Sequence, residues 1–410
     1  MTSLSIVIPA LNEEASIASI IERCLAVRED LKREANLDDI EIIVVSDGST
    51  DRTPEIASSY KEIKLIAYEK NKGYGAALKM GFAASKGSIV SFLDADGTCD
   101  PRSFIPMCKL MAAQNADVVL GSRMHKDSKM PLVRRIGNYL YATLISIISN
   151  AVITDSASGM RILQRSSLSK LYPLPNGLHF TPAMSCKAVL DPELKILETT
   201  MPYQEREGRS KLSVIKDGFR FLNVILDISL SYRPRKIIGI IGLILLLVSL
   251  LYAIYPIEFY LSYHRLEEWM IYRLVTIMVL GVGGLNIISI SEACEQMLQM
   301  GGYRKYNNSL LGTILNKIFS QKALFLWGAL AILIGLIVNT NTIIEYITTR
   351  KISVHWSYVI FGATVILAGL QLIGLGLLLR FISFFVIRIQ PEPEPITEVS
   401  VSTEKVSTHV

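Results

Sequence analysis

Apolar and polar positions divide the chain into two parts with different periodicities. Up to about residue 236, short apolar runs alternate with longer stretches of helical spacing. Residues 4–9, 40–45, 63–68, 89–93 and 117–120 read as strands, and 13–36, 53–60, 74–85 and 102–114 as helices between them. Near-continuous apolar strands separated by helices predict a mostly parallel sheet covered on both faces. Beyond residue 236 the pattern gives way to four uncharged stretches, 237–256, 274–291, 323–344 and 352–379. About 20 apolar residues, rising ~1.5 Å each, cross a hydrocarbon core of about 30 Å. The expected organisation is a soluble α/β domain over 1–210, an amphipathic juxtamembrane helix over 211–236, and a four-helix transmembrane domain over 237–389 with a cytoplasmic loop at 292–322. The polar tail over 390–410, rich in Pro and Glu, is expected to be disordered.

Composition narrows the class. Hydrophobic residues make up 50% of the 410 and charged residues 19%, with mean hydropathy +0.37. That balance excludes a disordered chain or a coiled coil. Of the 42 Lys and Arg, 31 precede residue 237, against 27 of the 37 acids, so the soluble part is near neutral. A nucleic-acid partner is not expected from so mild an excess. The basic excess is local: residues 203–236 hold eight Lys and Arg against four acids, next to the first span, where anionic headgroups would attract them.

Five cysteines without CxxC or metal spacing fit a reducing compartment. The first apolar run already contains Pro9 and ends in Asn12-Glu13-Glu14, unlike a signal peptide. The loop between spans two and three carries Arg304, Lys305, Lys317 and Lys322, more than the other loops. The positive-inside rule then puts that loop, both termini and the soluble domain in the cytoplasm. The expected location is a prokaryotic plasma membrane or an ER-type membrane; homo-oligomerisation is left open.

In a parallel sheet, ligands bind beyond the carboxyl ends of the strands. Those ends carry Pro9-Ala10-Leu11-Asn12-Glu13-Glu14, Ser46-Asp47-Gly48-Ser49-Thr50-Asp51 and Asp94-Ala95-Asp96. Two carboxylates in Asp-x-Asp can approach one hard divalent cation, Mg²⁺ or Mn²⁺, beside phosphates. Any one motif alone is equally a turn or helix cap; three in strand order point to a site. Asn71-Lys72-Gly73-Tyr74-Gly75 offers a helix N-terminus to an anion, with Lys72 to offset diphosphate charge.

These residues resemble a family. PALNEE, SDGSTDRT, NKGYGAALKMGFAASKG, LDADG and GSR, in that order, are similar to inverting family-2 glycosyltransferases of GT-A fold. Arg134-Arg135 with Asn138, Asp155 to Arg161, and Arg206-Glu-Gly-Arg-Ser-Lys211 resemble the polyprenyl-phosphate branch, which includes dolichyl-phosphate mannose synthase and bacterial polyprenyl-phosphate glucosyltransferases. The resemblance covers residues 3–235. It implies a Rossmann-like GT-A domain moving a hexose from GDP-mannose or UDP-glucose to a dolichyl or undecaprenyl phosphate. Pro9, Leu11, Glu13 and Asp47 would surround the base and ribose; Asp94, Ala95 and Asp96 form the DxD, with Asp94 and Asp96 holding the metal. Arg206 and Lys211 would close over the donor phosphates, and Arg123, Arg134 (or Arg135) and Asn138 would hold the acceptor phosphate. Two departures touch metal ligation and sugar choice: Thr98 stands where a third ligand often follows, and 177–184 lacks an acid often seen there.

The chemistry is self-consistent. An acceptor phosphate has a second pKa near 6 and is largely dianionic at neutral pH, so it needs no strong general base. Asp155 is the nearest candidate for a base, or else orients the acceptor loop or Arg161. Leu212, Ile215, Phe219, Leu222 and Leu226 form an amphipathic stripe, fitting a helix on the membrane surface or one packed on the catalytic domain; 310–319 resembles a second such helix. Among rivals, a processive polysaccharide synthase would carry a QxxRW-type motif, absent here. A non-catalytic sugar-lipid carrier or sensor would bind nucleotide without turnover, and a lipid-hydroxyl acceptor would need a base that is hard to find.

Overall fold

The computed structural model describes residues 2–204, 213–300, 317 and 320–389, with side chains to 384. The expected donor-loop residues Arg206 and Lys211, the first stripe residue Leu212, the tail from 390, and all of 310–319 except 317 lie outside the described residues. The chain divides into two units, Met1–Ile237 and Ile238–Val410.

The first unit is built on strands β1 (Ser3–Ala10), β2 (Asp39–Asp47), β3 (Lys64–Tyr68), β4 (Ile89–Leu93), β5 (Val118–Ser122), β6 (Met160–Gln164) and β7 (Ile196–Thr200). They form one sheet in the order β3-β2-β1-β4-β6-β5-β7, parallel except for the antiparallel β6. Helices α1 (Ile17–Ala26), α2 (Arg28–Ala35) and α5 (Phe104–Gln114) cover one face; α4 (Tyr74–Ala84) and α8 (Phe180–Leu190) cover the other. Alternate residues of β1 divide between the layers, Leu4, Ile6 and Ile8 to one and Val7 to the other, as the period of two demands. The short helices α3 (Thr53–Ser58) and α7 (Leu168–Leu171) complete the loops. The single helix expected over 13–36 is two, meeting at Val27. β6 and β7 were not anticipated as strands.

Two further helices, α6 (Leu132–Ser149) and α9 (Val214–Tyr232), pack on one another and on the domain. α9 is apolar on two sides. Phe221, Ile225 and Ser229 are buried, whereas Ile215 and Phe219 of the expected stripe are exposed and Leu222 and Leu226 half-buried. α6 does the same: Asn138, Ala142 and Ile145 point inward, and Leu132, Ile136, Leu140 and Ile147 are 52–70% exposed.

The second unit holds α10 (Pro234–Tyr263, its first turn in the first unit), α11 (Ile271–Met300), α12 (Gln321–Val338), α13 (Thr340–Thr349) and α14 (Trp356–Ile389). Four helical segments, 234–263, 268–300, 321–338 and 356–384, are long and apolar enough to cross a membrane. The second runs nine residues past its uncharged stretch and carries buried Glu292 and Glu295. The third uncharged stretch is divided at Asn339, between α12 and α13. Two hairpins use the same packing device. In the first, Gly242 of α10 meets Gly284 of α11; in the second, Gly328 and Gly335 of α12 meet Gly369 and Gly362 of α14. At Gly242, Gly284, Gly328, Gly335 and Gly369 a Cβ would clash with the opposing backbone, and at Gly362 with the Asn339 side chain, the close approach that small residues permit between apolar helices.

Candidate active site

The site is assembled where β1, β2 and β4 end. The first two ends are laced together. Asn12, at φ 49°, accepts from the Thr50 N–H on its side-chain oxygen (2.7 Å) and donates its own N–H to Ser49 Oγ. Glu13 and Glu14 donate backbone N–H groups to Thr53 Oγ1 and Asp51, and Glu14 accepts from Arg52 N. Asp47, the last residue of β2, accepts from the N–H groups of Lys72 and Gly73, both at 2.8 Å. Gly48 follows at φ 73°, and a Cβ there would strike the Asn71 backbone. The glycine-rich segment is thus bound to the β2 end by a carboxylate. The Lys72 ammonium lies 4.2 Å from the Tyr68 ring centroid.

Asp94 and Asp96 follow β4. Tyr74, at the first position of α4, donates to Asp94 Oδ1 at 2.7 Å. Burial first, and then this carboxylate, hold the Tyr74 hydroxyl well above its usual pKa, so it is the donor. Asp96 Oδ1 accepts from Thr98 N (3.1 Å) and Thr98 Oγ1 (2.7 Å). Arg23 of α1 pins the following turn by donating to the carbonyls of Gly97 and Cys99. Gln204 donates to the Thr98 carbonyl from the other side.

Asp155 receives Arg123 in a fork: Nε to Oδ2 at 2.7 Å and Nη2 to Oδ1 at 2.8 Å, with Arg123 N also on Oδ2. Asp155 is fully buried. Burial opposes its ionisation, but the Arg123 charge and hydrogen bonds outweigh it and hold the carboxyl below the usual range. The segment carrying Asp155 is fixed on several sides. Asn138 Oδ1 accepts from Ser156 and Ala157 and its Nδ2 donates to the Thr154 carbonyl. Glu198 of β7 accepts from the N–H groups of Thr154 and Asp155. Arg161 of β6, fully buried and pushed by burial down to about 10, donates to the Ser156 and Ser158 carbonyls.

One cleft of about 480 Å³ unites these groups. Pro9, Leu11, Glu13, Asp47, Asp94, Ala95, Asp96, Arg123, Arg134 and Asn138 line it; Lys72, Arg135 and Asp155 do not. The Arg134 side chain makes no hydrogen bond or ion pair among the described residues, whereas Arg135 Nη2 donates to the His125 carbonyl. The cleft continues between α6 and α9 along Met130, Val133, Gly137, Tyr141, Val214 and Phe221. Sequence reasoning missed Tyr203, Arg220 and the apolar wall, all on the cleft, and the roles of Tyr74, Gly159 and Glu198. The apolar spacing of Leu132, Ile136 and Leu140 was the one available signal for α6.

Among the described residues, no group of three or more His, Cys, Asp and Glu could hold a metal. Two carboxylates at one strand end still fit a hard cation that completes its shell with substrate phosphate oxygens. The room for them is built in: a Cβ on Gly159 would overlap the Asp94 carboxylate.

The model of glycosyl transferase family 2 matches residues 5–172, and that of a domain of unknown function matches 234–390. A low-salt glycan biosynthesis hexosyltransferase, Agl6, of Haloferax volcanii is 31% identical over 253 residues, 59% of this chain and 59% of that protein. A dolichyl-phosphate hexose transferase of the same organism is 30% identical over 57% of this chain and 96% of its own length. A glucosyl-3-phosphoglycerate synthase from Mycobacterium tuberculosis, solved with Mn²⁺, uridine diphosphate and phosphoglyceric acid, is 22% identical over 56% of this chain and 78% of that one, at a TM-score of 0.44. With a relative at this identity matched along nearly its whole length, the chain belongs to glycosyl transferase family 2.

Proposed function

We propose that this protein transfers a hexose from a nucleotide sugar to the phosphate of a polyprenyl phosphate at a membrane surface. One observation carries the reading: a single cleft is lined by Asp94 and Asp96, by Arg123 and Arg134, and by an apolar groove between α6 and α9. Carboxylates suit a divalent cation on a diphosphate; arginines suit a phosphate monoester; the groove suits the first units of a prenyl chain. The names of the Haloferax relatives, a hexosyltransferase and a dolichyl-phosphate hexose transferase, support the same reaction class.

In this reading Pro9, Leu11, Glu13 and Asp47 border the nucleoside, and Asp94 and Asp96 hold Mg²⁺ or Mn²⁺. The bound cation supplies charge to the leaving diphosphate. Arg206 and Lys211 assist it. Arg134 receives the acceptor phosphate, with Arg123 beside it. A phosphate oxygen attacks the anomeric carbon from the face opposite the diphosphate, whose bond to that carbon breaks, inverting the centre. The acceptor arrives as a dianion, so no proton has to be removed in the step. Asp155, buried and committed to Arg123, is a positioning residue rather than a base. The exposed apolar rows of α6 and α9 would rest on the bilayer, with the catalytic unit and termini cytoplasmic.

The test is transfer of label from GDP-mannose or UDP-glucose, assayed separately in detergent with dolichyl or undecaprenyl phosphate. An organic-soluble product, labile to mild acid and lost with EDTA, is expected. Nucleotide binding without lipid product across a broad donor panel would favour a non-catalytic carrier.

A further inference from the structure

We infer that Tyr74 is a positioning residue which, together with Gly159, fixes Asp94 in the orientation that binds the divalent cation. The inference rests on the reading of Asp94 as a metal ligand and names what holds it there.

The geometry is a clamp. Tyr74 stands at the start of α4, where Asp47 ties down the preceding Lys72 and Gly73 by their N–H groups, so the ring has a rigid base. Its hydroxyl gives Asp94 Oδ1 a hydrogen bond of 2.7 Å. On the far side, the Gly159 backbone closes on the same carboxylate: the nearest atoms to a Cβ built there are Asp94 Oδ2, Cγ and Oδ1. One oxygen is thus fixed by a donor and the group's sideways travel is limited by a main chain. Gly159 belongs to the segment that also carries Asp155, the partner of Arg123, and that Asn138, Glu198 and Arg161 hold in place. The wall behind Asp94 and the support of Arg123 are therefore one structure.

A carboxylate free to rotate must be ordered when the cation arrives; one already ordered spares that cost. Groups that orient a metal's ligands in this way typically change metal affinity 10- to 100-fold when removed. Tyr74→Phe keeps the ring and its packing and removes only the donor. Gly159→Ala keeps the donor and pushes on the carboxylate from behind.

The test is a Mn²⁺ titration of the full-length protein in detergent, in parallel with UDP and with GDP, read by the electron paramagnetic resonance of free Mn²⁺. Thermal unfolding and the KM for lipid phosphate are measured alongside. Tyr74→Phe is expected to weaken Mn²⁺ binding about tenfold or more, to leave the lipid-phosphate KM unchanged, and to regain turnover at high Mn²⁺. Gly159→Ala is expected to weaken Mn²⁺ binding in the same direction. Unchanged Mn²⁺ affinity in Tyr74→Phe, whether or not the melting temperature falls, overturns the inference. Asp94→Asn separates this from the parent reading: if it too binds Mn²⁺ like the wild type, Asp94 is no ligand and the reading itself fails.

Discussion

Replacing Asp155 with Asn removes one charge from a buried fork and leaves the shape almost intact. Arg123 would keep its guanidinium, largely buried, facing an amide that cannot balance it. Breaking a buried, hydrogen-bonded ion pair from one side costs about 3–5 kcal/mol. For a unit of this size, each kcal/mol lowers the melting temperature by roughly 2–4 °C, so a fall of about 6–20 °C is expected. Thermal unfolding of the full chain in detergent measures it. The pH dependence gives a second readout. The Asp155 carboxyl is held below its unfolded value of about 3.9. Its contribution is therefore complete above that value and lost as pH falls through the folded-state pKa. The gap between wild type and Asp155→Asn should be flat from pH 5 to 8 and close only below about pH 4. A melting temperature within 2 °C of wild type (roughly half a kcal/mol to one), or a gap that varies between pH 5 and 8, would show that the Asp155–Arg123 pair does not hold the fold in this way. Abolished turnover without loss of stability would return Asp155 to the role of base.

Other predictions concern separate parts of the molecule. Asp96→Ala should abolish turnover, and full activity in metal-replete buffer would exclude a role for the DxD. Arg134→Ala should raise the KM for lipid phosphate more than that for the nucleotide sugar, checked by steady-state kinetics with each substrate varied; the reverse would move Arg134 to the donor side. Ile136→Glu with Ile215→Glu should raise the lipid-phosphate KM in vesicles while leaving nucleotide binding alone, since both residues are exposed on the catalytic unit. In the second unit, Gly369→Leu should lower the melting temperature, because a side chain there meets the Gly328 carbonyl and Ile332; unchanged melting would contradict the hairpin packing.

Much of this architecture is written in the pattern of apolar residues. β1, β2 and β4 are buried on both faces, so each is a nearly unbroken apolar run that reads as a strand without context. β7 is a half-exposed edge strand, ILETT, whose Glu198 and threonines give no such run. β6 was hidden for another reason: Met160 and Arg161 close a polar motif, and a fully buried arginine does not look like core. The carboxylates at the strand ends were legible because Asp-x-Asp and Asp-Gly follow apolar runs directly. Asn138 was legible only as a polar residue beside two arginines; that its amide supports the Ser156 and Ala157 backbone depends on contacts 18 and 19 residues away. Gly159 was likewise opaque, since its meaning is the Asp94 carboxylate 65 positions earlier in the chain. In the second unit, Gly284 meets the Gly242 backbone across a hairpin while its neighbour Gly283 has nothing within 4 Å, a difference set by which helix face meets a partner and not by any local pattern.

In the proposed reaction a phosphate, arriving as a dianion at Arg134 and Arg123, is the acceptor. The direct measurement offers the wild-type protein, with one active donor, a polyprenyl phosphate and the corresponding polyprenol side by side, from pH 5 to 8. Sugar transfer to the phosphate alone is expected, with an acid limb near pH 6 that reports formation of the dianion and persists in Asp155→Asn at a temperature where that variant is folded. Transfer to the polyprenol at a comparable rate, or an acid limb that disappears with Asp155, would contradict it.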